Sequence, residues 1–215
     1  FSRGAASQEA GRKYWTLNGD IESVGEFIRL YLTRHERWLS PLFLVGESYG
    51  TTRAAGLAGH LASRGISLNG IVLVSSILQF QTARFTAGND LPYALFLPTY
   101  SAIAWYHGRL SADLQQLPVA KLMDEVKAWA ATDYTVALGR GDRLSAGDRR
   151  AVLERLARYT GLTQAYLEQA DLRPEIQRFC KELLREDGLT VGRLDGRFSG
   201  RGGKGTDATP EFDPS

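Results

Sequence analysis

The residues best suited to chemistry in this sequence are Gly46-Glu47-Ser48-Tyr49-Gly50. Four apolar residues precede them and predict a buried strand, and the small residues that follow predict a helix. A serine between two glycines at a strand–turn–helix junction is the pattern of a nucleophile elbow, in which a sharp turn projects the hydroxyl clear of the sheet edge. We therefore predict that Ser48 is a nucleophile, although the five letters also fit a serine in a tight turn without chemistry.

The neighbours of Ser48 have predicted roles of their own. Gly46 and Gly50 lack the Cβ atoms that would collide where strand and helix approach each other. The backbone N–H of Tyr49, at the positive end of the helix, is predicted to be one donor of an oxyanion hole. Glu47 is unusual, because its charge would repel a developing oxyanion. It is either a neutral acid that donates a hydrogen bond to a substrate carboxylate, or a helix-start acid that interacts with the dipole.

The elements around the elbow predict an α/β fold. Residues 42–45 and 71–74 are continuous apolar runs typical of buried strands, and residues 51–63 between them predict a helix. Two strands joined through one helix should be parallel, with a right-handed crossover. A further helix is expected before the first strand, with Asn18-Gly19-Asp20 as caps and its end near His35.

The second part of the chain is predicted to be helical. No convincing strand occurs over residues 84–186, whereas helices are expected at 98–107, 119–138 and 174–184 and after capping positions at Ser145 and Thr163. We interpret this block as a lid inserted into an α/β core, and a helical domain without a gating role is the alternative. The expected organisation is an α/β core with the elbow at 1–83, a helical lid at 84–188 and a return towards the core at 189–215.

Within the last segment, residues 190–194 are predicted to be a strand or an extended return, and residues 199–205 a flexible loop. The glycines at 200–205 do not lie between a strand and a helix. We therefore do not expect them to bind phosphate.

Composition excludes several classes of function. The net charge of the 215 residues is only +2 and the basic residues are scattered, so neither nucleic acid nor a membrane surface is indicated as a partner. No apolar run reaches the roughly 20 residues of a membrane span. No cofactor and no metal site are expected. Cys180 is the only cysteine, which excludes an intrachain disulfide, and its apolar helical setting predicts a buried structural thiol rather than a nucleophile.

The histidines do not complete a catalytic triad with Ser48. Only His60 and His107 follow it in the sequence. His60 lies twelve residues further along the same predicted helix, ~18 Å away, and cannot be the base. His107, at the end of a predicted lid helix, is expected to have a packing or surface role. We therefore expect the acid and the base beyond Ser215, and residues 1–215 alone to be inactive.

The elbow resembles the active-site segment of the serine carboxypeptidase family, in which an acid precedes the nucleophile and a tyrosine follows it. Residues 191–198 resemble a segment of the bacterial members, as do 97–100, 104–108 and 212–215. The resemblance runs from the first residues onward. It is specific in the elbow and weaker elsewhere.

This resemblance implies an α/β-hydrolase core with a large helical lid insertion, of which the chain is an internal piece. It implies a serine carboxypeptidase that hydrolyses C-terminal peptide bonds through an acyl-enzyme on Ser48. Its substrates would be peptides whose free C-terminal carboxylate is held by Glu47 and by a partner acid from a part of the enzyme that precedes Phe1. The second oxyanion donor and a substrate-binding asparagine would precede Phe1, and the triad acid and histidine would follow Ser215. A periplasmic or secreted location is also implied.

Two other readings of the sequence stay open. An esterase or an acyltransferase on the same scaffold would share the elbow. A non-catalytic family member that serves as a binding module would keep the fold but lack the catalytic histidine.

Overall fold

The computed structural model describes residues 11–201. The resemblance at 212–215, the first residues of the chain and the glycines after residue 201 lie outside this range. The chain divides into two compact units, unit 1 (Phe1–Leu78) and unit 2 (Gln79–Ser215). The division falls five residues before the boundary expected from the sequence.

Unit 1 is a βαβ arrangement preceded by a helix. A 3₁₀ turn at Arg12–Trp15 leads into α1 (Leu17–Arg34), β1 (Phe43–Glu47), α2 (Tyr49–Ala62) and β2 (Gly70–Val74). The strands pair in parallel, with a register that runs from Phe43 opposite Gly70 to Glu47 opposite Val74. The predicted parallel pair and crossover helix are confirmed, and the molecule is of the mixed α/β class.

The start of α1 differs from the prediction. The N-cap is Thr16, whose Oγ1 accepts a hydrogen bond from the Gly19 N–H at 3.1 Å, so residues 18–20 lie inside the first turn. A Cβ at Gly19 would lie 1.8 Å from the Lys13 carbonyl oxygen, because the preceding 3₁₀ turn folds back onto this position. The helix ends as expected, with His35 as the C-cap.

The core of unit 1 is small. Its buried residues come from both helices and the loop after α2: Leu32, Leu57, Leu61 and Ile66. Much of the apolar surface of the strands stays exposed; Phe43 is 64% and Val45 is 72% exposed. The amphipathic helices are therefore better buried than the sheet they accompany.

Unit 2 is a helical assembly. Its helices are α3 (Leu91–Tyr106), α4 (Ala112–Gln115), α5 (Val119–Trp129), α6 (Thr135–Arg140), α7 (Ala146–Thr160), α8 (Gln164–Gln169) and α9 (Ile176–Glu182). Short 3₁₀ turns lie at Phe80–Thr82, Gly141–Arg143 and Arg185–Asp187. No strand occurs among residues 84–186, as predicted.

Several sequence signals in unit 2 are confirmed. Ser145 and Thr163 cap α7 and α8 through their side chains, which accept from the Asp148 and Tyr166 N–H groups. The helix predicted over 119–138 is present, but a π-helical turn at Ala130–Tyr134 separates α5 from α6. The helix predicted from residue 98 starts at Leu91 and continues through Pro98.

The last described segment packs with the helices. β3 (Leu189–Val191) and β4 (Ser199–Arg201) form an antiparallel pair, with Leu189 opposite Arg201. Val191 is fully buried in the same core as Phe179 and Tyr100. Residues 189–201 therefore belong to unit 2 rather than forming a separate return segment, and 199–201 form a strand where the sequence predicted a loop.

Within residues 11–201, every helix is too short or too polar to cross a bilayer.

Candidate functional site

The site lies where β1 ends and α2 begins. Glu47 is the last residue of the strand, Tyr49 is the first residue of the helix, and Ser48 alone makes the turn between them. Ser48 has φ 53° and ψ −120°, a conformation that is costly for a residue with a Cβ. A one-residue reversal of this kind is what a nucleophile elbow requires.

Hydrogen bonds on both sides hold the Ser48 backbone in this conformation. Its N–H donates to the Val74 carbonyl oxygen at 3.0 Å, at the end of the neighbouring strand. Its carbonyl oxygen accepts from the Thr51 N–H at 3.0 Å and from Thr51 Oγ1 at 2.7 Å. Thr51 is almost fully buried, so the strain is supported by β2 on one side and by the first turn of α2 on the other.

The two elbow glycines differ in the space around them. A Cβ at Gly46 would lie 2.1 Å from the Gly50 carbonyl oxygen, so the strand and helix backbones meet at this point. A Cβ at Gly50 would meet no atom within 4 Å among the described residues. The steric role predicted for both glycines therefore applies to Gly46 and not to Gly50.

The predicted functional side chains are accessible. Glu47, Ser48 and Tyr49 are all exposed. Glu47 forms no side-chain hydrogen bond or ion pair with any other of residues 11–201. The backbone N–H of Tyr49 belongs to the first turn of a 14-residue helix, where amide groups lack intrahelical acceptors and favour nearby negative charge.

A cluster beside the elbow was not predicted. Asp20 in α1 accepts a hydrogen bond from the Tyr49 hydroxyl at 3.0 Å and two from the Arg53 guanidinium at 2.7 and 2.9 Å. The bonds from Arg53 lower the pKa of Asp20, against the opposing effect of burial. Burial, aided by the bond to Asp20, raises the pKa of Tyr49. The four-residue spacing of Tyr49 and Arg53 was visible in the sequence, but their shared partner on another helix was not.

The histidines of the chain lie away from this junction or in unit 2. The His60 ring packs against α1, where a Cβ at Gly25 would lie 2.7 Å from its Cδ2 atom, and it contacts Arg64. His35 contacts the Tyr31 ring in a tilted arrangement at the far end of α1, roughly 22 Å along the helix from the level of Asp20. His107 Nε2 lies 2.7 Å from the Gly196 carbonyl oxygen, a packing contact inside unit 2.

The sequence also raised the questions of a buried cysteine and of metal-binding groups. Cys180 is buried in the unit 2 core, as predicted. The described residues contain no group of three or more His, Cys, Asp or Glu side chains able to hold a metal ion.

Comparison of the chain with protein-family models, curated proteins and solved structures found no match.

Proposed function

We propose that this chain carries the nucleophile of a serine hydrolase of the carboxypeptidase class, built on an α/β-hydrolase core. The observation that carries the proposal is the backbone of Ser48, a non-glycine residue at φ 53° between a parallel strand and a helix. Such strain persists only where the surrounding structure enforces it, and it concentrates at functional sites. Ser75 also has a positive φ, but it is not followed directly by a helix; Ser48 combines the positive φ with an immediate change from strand to helix.

In the proposed reaction, Ser48 Oγ attacks the carbonyl carbon of the last peptide bond and loses its proton to a base. The tetrahedral intermediate bears its negative charge on the former carbonyl oxygen, which accepts from the Tyr49 N–H. Collapse breaks the C–N bond, and the protonated base returns its proton to the departing amine. Water then hydrolyses the acyl-enzyme and regenerates Ser48. By the family resemblance, the base and its acid come from chain beyond Ser215.

Glu47 selects the substrate in this proposal. An exposed carboxylic acid beside the nucleophile, when neutral, can donate a hydrogen bond to the free carboxylate of a peptide. Its lack of a partner within residues 11–201 leaves it available for this contact and for a second acid. The contact requires a neutral donor, so glutamine at this position should preserve it.

The nucleophile is tested in the protein at its native length. Wild type should be labelled by a fluorophosphonate and should release C-terminal residues, whereas Ser48→Ala should lose the label and about 10⁵-fold or more in kcat. Ser75→Ala is the matched control, because Ser75 also has a positive φ, 55°, but follows β2 and starts no helix. Label that survives in Ser48→Ala would refute the assignment.

The substrate class is tested with one peptide in free-acid and amidated forms. For wild type, kcat/KM for the free acid should be highest at acidic pH and the amide should be a poor substrate; Glu47→Gln, which keeps a neutral donor, should flatten the decline at higher pH. Equal use of both peptides with unchanged profiles would favour the esterase or acyltransferase alternative. Substrate binding without turnover or label would favour the binding member.

A further inference from the structure

Asp20 joins two helices at the level of the elbow. One of its carboxylate oxygens accepts from both the Tyr49 hydroxyl and Arg53 Nε, and the other accepts from Arg53 Nη2. The Asp20 side chain is only 13% exposed, against 38% for Arg53. With three donors and little exposure, the Asp20 carboxylate is held in one position, unlike a carboxylate in a solvated surface ion pair. We call Asp20 and its hydrogen bonds to Tyr49 and Arg53 the Asp20 anchor.

The anchor holds Tyr49 in two ways. Tyr49 and Arg53 are four residues apart and therefore share one face of α2. The Arg53 guanidinium carbon lies 5.3 Å from the centroid of the Tyr49 ring, while the hydroxyl at the end of that ring bonds to Asp20. The Tyr49 side chain is thus restrained at its face and at its tip, although 49% of the residue is exposed.

The directions of α1 and α2 place the Asp20 anchor at the same end of these helices as Ser48. Asp20 contacts Arg53, Ile21 lies against Gly56, and Gly25 lies against His60. Contacts that advance together along both helices mean that α1 and α2 run parallel, with their N-termini side by side. The first turn of α1 therefore supports the turn of α2 that follows Ser48.

We propose that Asp20 is a positioning residue of the active site, which acts through Arg53 and Tyr49 to fix the Tyr49 backbone N–H in the direction of the developing oxyanion. The inference rests on the proposed role of Ser48. The bond that Ser48 donates to Val74 and those that it accepts from Thr51 restrain Ser48 itself, and the Asp20 anchor restrains Tyr49, which supplies the next amide. An oxyanion donor contributes most when its direction is fixed before the reaction begins.

The test compares Tyr49→Phe and Asp20→Ala with Glu26→Ala. Glu26 also lies on α1 and accepts two bonds from an arginine, Arg29, at 2.8 and 2.7 Å, but this pair lies within one exposed helix face away from the elbow. The readouts, in the native-length protein, are kcat, KM and the rate of inactivation by a fluorophosphonate. Rates are normalised to the number of Ser48 hydroxyls that react at completion, so that unfolded protein does not count.

Tyr49→Phe, which removes one oxygen atom, should lower kcat and the inactivation rate about tenfold, and Asp20→Ala should lower them about a hundredfold, with KM within about twofold of wild type. Glu26→Ala should retain wild-type rates. A donor that acts only in the transition state affects kcat in this way, whereas a loss of general stability does not.

Three results would overturn the inference. Wild-type kcat in both anchor variants would reduce the cluster to helix packing. A change confined to KM would make Tyr49 a substrate contact instead. If wild type itself shows neither turnover nor label on Ser48, the proposed function fails and the positioning role fails with it; labelled wild type with unaffected anchor variants removes the positioning role alone.

Discussion

The two units of the molecule bury their apolar residues to very different degrees. Unit 2 has an extensive core in which Tyr100, Tyr134, Tyr159 and Phe179 are almost inaccessible. Among its described residues, unit 1 has a small core around Leu32, Leu57, Leu61 and Ile66, and its paired strands expose valine, leucine and phenylalanine side chains. Yet the strained serine lies in unit 1.

The elbow is supported by local contacts. The conformation of Ser48 is not held by a large surrounding core. It is held by a close backbone contact at Gly46 and by the hydrogen bonds that Ser48 forms with Val74 of β2 and Thr51 of α2. Local, directional interactions can therefore fix a strained turn beside a sheet whose strands expose apolar side chains.

Truncation of one buried side chain in unit 2 and one exposed side chain in unit 1 should have very different effects on stability. Phe179→Ala in unit 2 should lower the free energy of unfolding by about 3–5 kcal/mol, because a fully buried ring stacked on Tyr100 at 4.1 Å is removed. Val45→Ala in β1 should cost less than about 0.5 kcal/mol in the 215-residue chain, since Val45 is mostly exposed. Urea unfolding of both variants measures the difference.

The same pair also sharpens the hydrolase proposal. A complete hydrolase core would cover both faces of a parallel sheet. Val45→Ala should then cost at least about 1 kcal/mol in the native-length protein. Equal costs for the two substitutions in the 215-residue chain would contradict the contrast between the units.

The two glycines of the elbow give the next largest effect. Gly46→Ala should cost about 3 kcal/mol and abolish labelling of Ser48, because the added Cβ would collide with the Gly50 carbonyl. Gly50→Ala should leave stability unchanged or raise it by up to about 1 kcal/mol, since its space is open and alanine favours a helix. Thermal unfolding and phosphonate labelling of both variants would show this, and similar losses in the two would disprove the asymmetry.

The smallest effect concerns pH and the Asp20 anchor. Because its pKa is lowered in the folded state, chiefly by Arg53, ionised Asp20 stabilises the fold at and above its ordinary pKa, and this contribution is lost as pH falls through the folded pKa. Asp20→Asn should therefore be less stable than wild type by about 1–2 kcal/mol at pH 7. The gap should stay constant down to about pH 5 and close below about pH 4.

Urea titrations at several pH values follow this gap, with Glu26→Gln as the control. The Glu26–Arg29 pair is exposed, so its removal should change the midpoint far less. A gap for Asp20→Asn that persists unchanged at pH 2 would show that the loss of a charged carboxylate is not its cause.

Much of the fold could be predicted from local signals. The strands, the crossover helix and the caps at Ser145 and Thr163 follow from apolar runs and from side chains that bond to neighbouring amides. The features that were predicted wrongly depend on contacts with neighbouring segments. The first turn of α1 begins at Thr16 because the preceding 3₁₀ turn packs against Gly19, and 199–201 form a strand because β3 offers a partner.

The position of Ser48 between a strand and a helix could be predicted from the sequence alone, because apolar periodicity and glycine spacing are local properties of the chain. Tertiary packing explains why the strand and helix backbones approach each other at Gly46 and not at Gly50. It also explains the hydrogen bonds of Asp20 with Tyr49 and Arg53, which lie 29 and 33 residues further along the chain. The physical reason is that these features depend on how two helices and a strand pack. Their distances and directions are set by the whole unit, and no short segment encodes them.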